Sequence, residues 1–118
     1  MQVVKPYKVP KEPYPSNIFT GPVTRQAVAP ASKEFSVNIV NFGRGVRNKF
    51  HTHESDQVLI VTAGRGMVAT EKEEHVVTTG DVVLIPAGEK HRHGATSDSE
   101  FSHIAMTRLD SKTTIVGE

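Results

Sequence analysis

The sequence predicts an all-β protein, a small barrel or sandwich of short strands. Three observations carry that expectation. No segment sustains a 3.6-residue apolar period for three turns. Short runs that are apolar or alternate apolar with polar residues follow one another at regular spacing from Phe35 onward. Glycine-bearing turns separate them, around Gly43 and Gly45, Gly64 and Gly66, and Gly80.

Taken in order, residues 1–22 hold five of the seven prolines: Pro6, Pro10, Pro13, Pro15 and Pro22. Proline fixes φ and removes a backbone donor, which forbids a helix here and disfavours a central strand. The segment reads as an extended Pro-rich N-terminal arm. It is either a loose terminus or an arm laid over a neighbouring subunit, with Tyr7, Tyr14, Ile18 and Phe19 as anchors. Residues 23–118 form the single barrel domain. Phe35, Val37 and Ile39 alternate with Ser36 and Asn38, and residues 42–45 make a turn. Residues 57–62 read as a strand, 63–66 as a hairpin turn and 67–70 as its return. Residues 73–78 form another strand, closed by the turn at 79–81. A continuous apolar run at 82–85 follows, and residues 101–109 alternate again.

Composition narrows the function. The 118 residues allow one domain and one core, burying about two-thirds of the unfolded chain's surface. With 14 Lys and Arg against 13 Asp and Glu, there is no basic excess of the kind that marks nucleic-acid binding. No stretch is long enough for a membrane helix, and the first residues lack the apolar core of a signal peptide. A cytoplasmic protein with no nucleic-acid or membrane partner is the expectation. Without cysteine, a metal must be held by His, Gln or carboxylate.

Such a metal site is the most specific feature of the chain. His51 and His53 lie two apart in an extended segment, and side chains at that spacing point the same way. His91 arrives on a separate strand, after a turn set by Pro86 and Gly88. Three imidazoles converging from two strands make a divalent-metal site with open coordination positions.

These residues resemble both signature motifs of the cupin superfamily. Gly45, His51, His53, Gln57 and Gly64 fall at the spacing of the first motif. Gly80, Pro86, Gly88 and His91 fall at that of the second, with Ala95 in place of its Asn. The resemblance implies a cupin double-stranded β-helix, a small jelly-roll barrel, with one divalent metal per subunit. Gln57 stands where the motif has Glu. Three neutral imidazoles and an amide leave a divalent site at +2, where a carboxylate would leave +1. That favours Lewis-acid chemistry over redox cycling.

The segments around 57–64, 86–95 and 102–105, with Phe19-Thr20-Gly21 near the start, are similar to a narrower group. These are small single-domain cupins labelled carboxymuconolactone-decarboxylase-like, which include manganese-dependent hydroxynitrile lyases. That resemblance implies metal ligation by His51, His53, Gln57 and His91. It assigns His93 and His103 as proton-transfer or supporting groups. Manganese comes first, and iron, zinc, nickel, cobalt and copper also suit imidazole. A small oxygenated organic substrate and lyase, decarboxylase or isomerase chemistry follow. A three-His iron dioxygenase and a non-catalytic metal-dependent binding module are the alternatives. Arg92 and Met67 stand where that group often has Trp, and Arg47 and Lys49 make either a cationic pocket entrance or a solvated basic loop, the commoner case. The apolar outer sheet and the arm suggest a homodimer. His75 reads as a solvated strand residue.

Overall fold

A computed structural model describes the whole chain, residues 1–118. Ten strands follow in order: β1 (Glu12–Pro13), β2 (Val23–Ala27), β3 (Phe35–Phe42), β4 (His51–His53) and β5 (Gln57–Ala69), then β6 (Glu74–Thr78), β7 (Val82–Ile85), β8 (Arg92–Ala95), β9 (Phe101–Arg108) and β10 (Thr113–Ile115). The one helical element is a 3-10 turn at Pro6–Lys8. No helix is long and apolar enough to cross a membrane.

Every pairing is antiparallel. One run of the sheet goes β1, β2, β3, β9, β5, and β4 pairs separately with β10. Strand β5 turns this sheet into a barrel. Its first half pairs with β7 and β9, and its second half with β6 and β8. The expected hairpin at residues 63–66 is therefore absent, and β5 is one strand of 13 residues. Its glycines serve other purposes. Gly64 has φ +75°, next to a register shift between Val61 and Ala63, and a Cβ there would lie 1.9 Å from the Glu100 carbonyl oxygen. A Cβ on Gly66 would lie 2.5 Å from the Phe101 ring. A glycine inside a strand marks a bulge or a close approach, and β5 contains one of each.

Alternation places Val40, Phe42, Leu59, Val61 and Phe101 inside, with Val23, Val68, Val77, Ile85 and Ala95 completing the core. Burying a large apolar side chain contributes roughly 1.5–3 kcal/mol. The run at 82–85 is only half internal. Ile85 is buried and Val83 packs against the core, whereas Val82 and Leu84 are exposed. On that outer face Leu84, Val58, Met106 and Val37 stand in register across four strands. A second row holds Val82, Ile60, Ile104 and Ile39.

The arm is bound to its own barrel. Strand β1 pairs with β2, and the Tyr14 N–H donates to the Val23 carbonyl at 2.9 Å. Gln26, buried in β2, donates its amide to the Pro6 and Val9 carbonyls at 3.0 and 2.9 Å. Tyr14 meets Phe19 edge-on, and Phe19 meets Phe42 in the same way, with centroids 5.2 and 5.9 Å apart. Tyr7 is exposed and anchors nothing within the chain.

Candidate metal centre

Five of the six histidines face one lumen. His51, His91 and His103 are among the largest fully buried side chains, and His93 and Gln57 are buried beside them. His51 and His53 project from β4. His91 sits just before β8 and bridges His51 through paired backbone hydrogen bonds of 2.9 and 3.1 Å. His93 follows on β8 and His103 comes from β9. Ring centroids lie 4.8 Å apart for His51 and His53, 4.2 Å for His51 and His91, and 5.2 Å for His53 and His91.

The hydrogen bonds sort these rings into two kinds. His51 Nδ1 donates to the Lys49 carbonyl at 2.6 Å, and His91 Nδ1 to the Glu89 carbonyl at 2.8 Å. A carbonyl only accepts, so in the neutral rings the proton is on Nδ1 and the lone pair on Nε2. His53 Nδ1 lies 2.9 Å from the Thr113 hydroxyl, and its Nε2 is buried without a well-formed hydrogen bond. Gln57 brings its amide oxygen to 3.2 Å from His91 Nε2. His93 differs, because Nε2 is 3.2 Å from the Asn48 amide nitrogen and Nδ1 is 3.0 Å from His103 Nε2.

Burial lowers the pKa of all five. His51 falls to about 3 and His53 to about 4, in both cases by burial first and then by the neighbouring His91. Burial takes His103 to about 4 and lowers His91. His93 is held well below its ordinary value by burial and by His103. The cluster is therefore neutral at pH 7, the form in which imidazole binds metal.

By distance alone, the tightest group is His51, His91 and His93, whose donor atoms lie within 4.8 Å of one another. Donor chemistry ranks them differently. Both nitrogens of His93 are engaged, while the orphaned Nε2 of His53 is what a ligand presents. Three neutral nitrogens and an amide oxygen suit a divalent ion of the first transition series.

The cluster opens into a cavity of about 260 Å³, lined by Tyr14, Ile18, Phe19, Val40 and Leu109 on its apolar side. Ser36, Asn38, Thr107 and Ser111 give it hydroxyl and amide groups, and no Asp, Glu, Lys or Arg lines it. Of the two readings of Arg47 and Lys49, the cationic entrance is not the one the cavity lining shows. Arg47 turns its guanidinium to the Asn48 carbonyl, and Lys49 contributes only its carbonyl. Arg92 stacks 4.5 Å from the Phe50 ring and bonds the Glu118 carbonyl, away from the lumen. His75 is exposed beside Glu73, as expected.

Sequence reasoning did not find Asn48 or Thr113. Asn48 is three residues from His51, and simple alternation would turn it outward. Strand β10, which carries Thr113, is too short to leave a periodic signal.

A small antiparallel barrel whose lumen holds a neutral histidine cluster suited to a divalent ion defines the class of this protein. The chain belongs to the cupin family, and residues 38–107 match the family described as Cupin domain. It is 40% identical over 105 residues to an (R)-mandelonitrile lyase from Granulicella tundricola, covering 83% of this chain and 78% of that one. A cupin-like protein from Thermotoga maritima superposes with a TM-score of 0.82 at 30% identity, over 90% of this chain and 84% of the other. The polyketide cyclase RemF from Streptomyces resistomycificus has the same fold, with a TM-score of 0.83 at 17% identity. That match covers all of this chain and 88% of RemF.

Proposed function

We propose that this protein is a metal-dependent lyase acting on a small, uncharged, oxygenated organic molecule. His51, His53, Gln57 and His91 hold one divalent ion per subunit, with manganese the first candidate. The observation that carries this reading is the orphaned, buried Nε2 of His53, set beside two rings whose Nδ1 protons are tied to carbonyls. A bound ion supplies Lewis-acid polarisation of a carbonyl or hydroxyl oxygen.

The chain's own groups do the rest. Tyr14, Phe19, Val40 and Leu109 exclude water from the apolar part of a substrate, and Ser36, Asn38 and Thr107 orient its polar part. His93 and His103 are the groups that hold and move a proton. Similarity to a mandelonitrile lyase supports cyanohydrin cleavage as the first reaction to test. In that reaction the hydroxyl proton is removed, the bond from carbon to nitrile breaks, and cyanide leaves with a proton as the carbonyl forms.

The test is metal analysis of protein purified without added metal, combined with aldehyde release from (R)-mandelonitrile and an oxygen-uptake assay. Near-stoichiometric manganese or zinc with aldehyde release and no oxygen uptake is expected. Iron with oxygen uptake would replace this reading with a three-His dioxygenase. Stoichiometric metal without turnover on a wider panel of cyanohydrins, hydroxy acids and keto acids would replace it with a binding module.

We also propose a cytoplasmic homodimer. Val82 and Ile60, in register, and Leu84 two residues along from Val82, are exposed on the outer face and support the dimer. A 12.9 kDa species in light scattering at micromolar concentration would overturn it.

A further inference from the structure

We infer that Asn48 is a positioning residue that locks the His93–His103 pair in one tautomer, with His93 Nε2 accepting from the Asn48 amide and the ring protons on both Nδ1 atoms. The catalytic consequence rests on the proposed proton-handling role of that pair. The tautomers themselves rest on hydrogen bonding alone.

The backbone N–H of His93 can only donate, and it reaches Asn48 Oδ1 at 2.8 Å. That orients the amide, so the atom 3.2 Å from His93 Nε2 is the NH₂ group, which also only donates. His93 Nε2 therefore accepts. A neutral imidazole has a single N–H, so the His93 proton is on Nδ1, 3.0 Å from His103 Nε2. His103 Nε2 then accepts as well, and its own proton is on Nδ1, which is buried without a hydrogen bond. One side-chain amide thus determines the protonation pattern of two rings on two other strands.

Asn48 is built for this. It is 3% exposed, and its backbone N–H donates to the His93 carbonyl at 3.0 Å, so backbone and side chain are both tied to His93. Asn48, His93 and His103 all line the cavity. A proton that the pair takes up consequently enters at Nε2 of His93 and displaces the Asn48 amide, which holds that lone pair at 3.2 Å. Aspartate at 48 has the same shape but only accepts. One carboxylate oxygen can keep the His93 backbone N–H, while the other requires a proton on Nε2. The lone pair is then replaced by an N–H.

The test is long-range ¹H–¹⁵N NMR of the histidine side chains, in zinc-loaded protein (zinc being diamagnetic) and in metal-free protein. In the wild type, His93 and His103 should each show a pyridine-type Nε2 and a pyrrole-type Nδ1. In Asn48→Asp, His93 Nε2 should become pyrrole-type, with zinc content unchanged. Should Asn48→Asp fail to fold, the wild-type spectrum decides alone. A pyrrole-type His93 Nε2 in the wild type would overturn the assignment, as would an Asn48→Asp spectrum with both rings unchanged. Wild-type tautomers in a protein that takes up no metal would end the proposed metal-dependent function and leave this inference standing.

Discussion

At one end of the lumen Phe101, Leu59, Val61 and Ile85 pack as ordinary core. At the other, His51, His91, His93 and His103 are buried just as deeply. The same strands build both ends. Two steps along β9 lead from Phe101 to His103, and two steps along β5 lead from Gln57 to Leu59. Phe42 is the boundary, with centroids 6.0 Å from Phe101, 5.5 Å from His103 and 6.0 Å from His93. The apolar end needs nothing beyond exclusion from water. The histidine end already carries two unpartnered nitrogens, His53 Nε2 and His103 Nδ1, and is stable only while its rings are neutral, because an unpaired or charged buried group is costly. Stability therefore needs only exclusion from water at one end and is expected to depend on pH, and on the proposed metal, at the other.

The largest effect should come from the apolar end. Phe101→Ala is expected to cost about 3–5 kcal/mol in urea unfolding, because the ring also fills the space above Gly66. A loss below about 1 kcal/mol would mean that the core is held elsewhere.

Next comes the dependence on metal. A metal at one hundred times its Kd stabilises a folded protein by about 2.7 kcal/mol. Thermal melts with and without manganese should show that gain in the wild type and in His93→Ala, but not in His91→Ala. A gain retained by His91→Ala would remove that residue from the ligand set.

The third effect, in metal-free protein, is acid sensitivity. The folded pKa of His103, about 4, lies below its ordinary value of 6.5, so the unfolded chain binds the proton more readily. Its contribution is complete above pH 6.5 and is lost as pH falls towards about 4. The histidines at 51 and 53 push in the same direction. Urea midpoints should therefore decrease across that window, and a flat profile would show that the rings stay solvated. The smallest effect is expected from Gln57→Glu. It should keep or tighten metal binding in calorimetry, since a carboxylate replaces an amide of similar shape. Loss of metal with the fold intact would count against Gln57 as a ligand.

Much of this contrast was legible in the residues. Alternation along residues 101–109 puts His103 on the face of Phe101, and a two-residue offset puts His93 on the face of His91, where the rings stack at 5.8 Å. Gly64 sits at a bulge and not in the expected hairpin turn; both use the same left-handed backbone, and only the pairing partners distinguish them. The continuous apolar run at 82–85 does not say which of its side chains face inward, because exposed valine and leucine on an outer sheet face give the same local signal as core.

The sequence alone determined the all-β architecture, the two motif-bearing segments and the inward-facing histidines. Each of these follows from a period of two and from glycine and proline at turns, which are properties of neighbouring residues. Only the tertiary structure decided that the arm folds back on its own barrel and that β5 belongs to both walls. It also decided which nitrogen of each ring is free. Those outcomes depend on partners far away in the chain, with His53 meeting Thr113 across 60 residues and His93 meeting Asn48 across 45. A tautomer is set by whatever donor or acceptor the fold brings to the ring, and no local pattern records that.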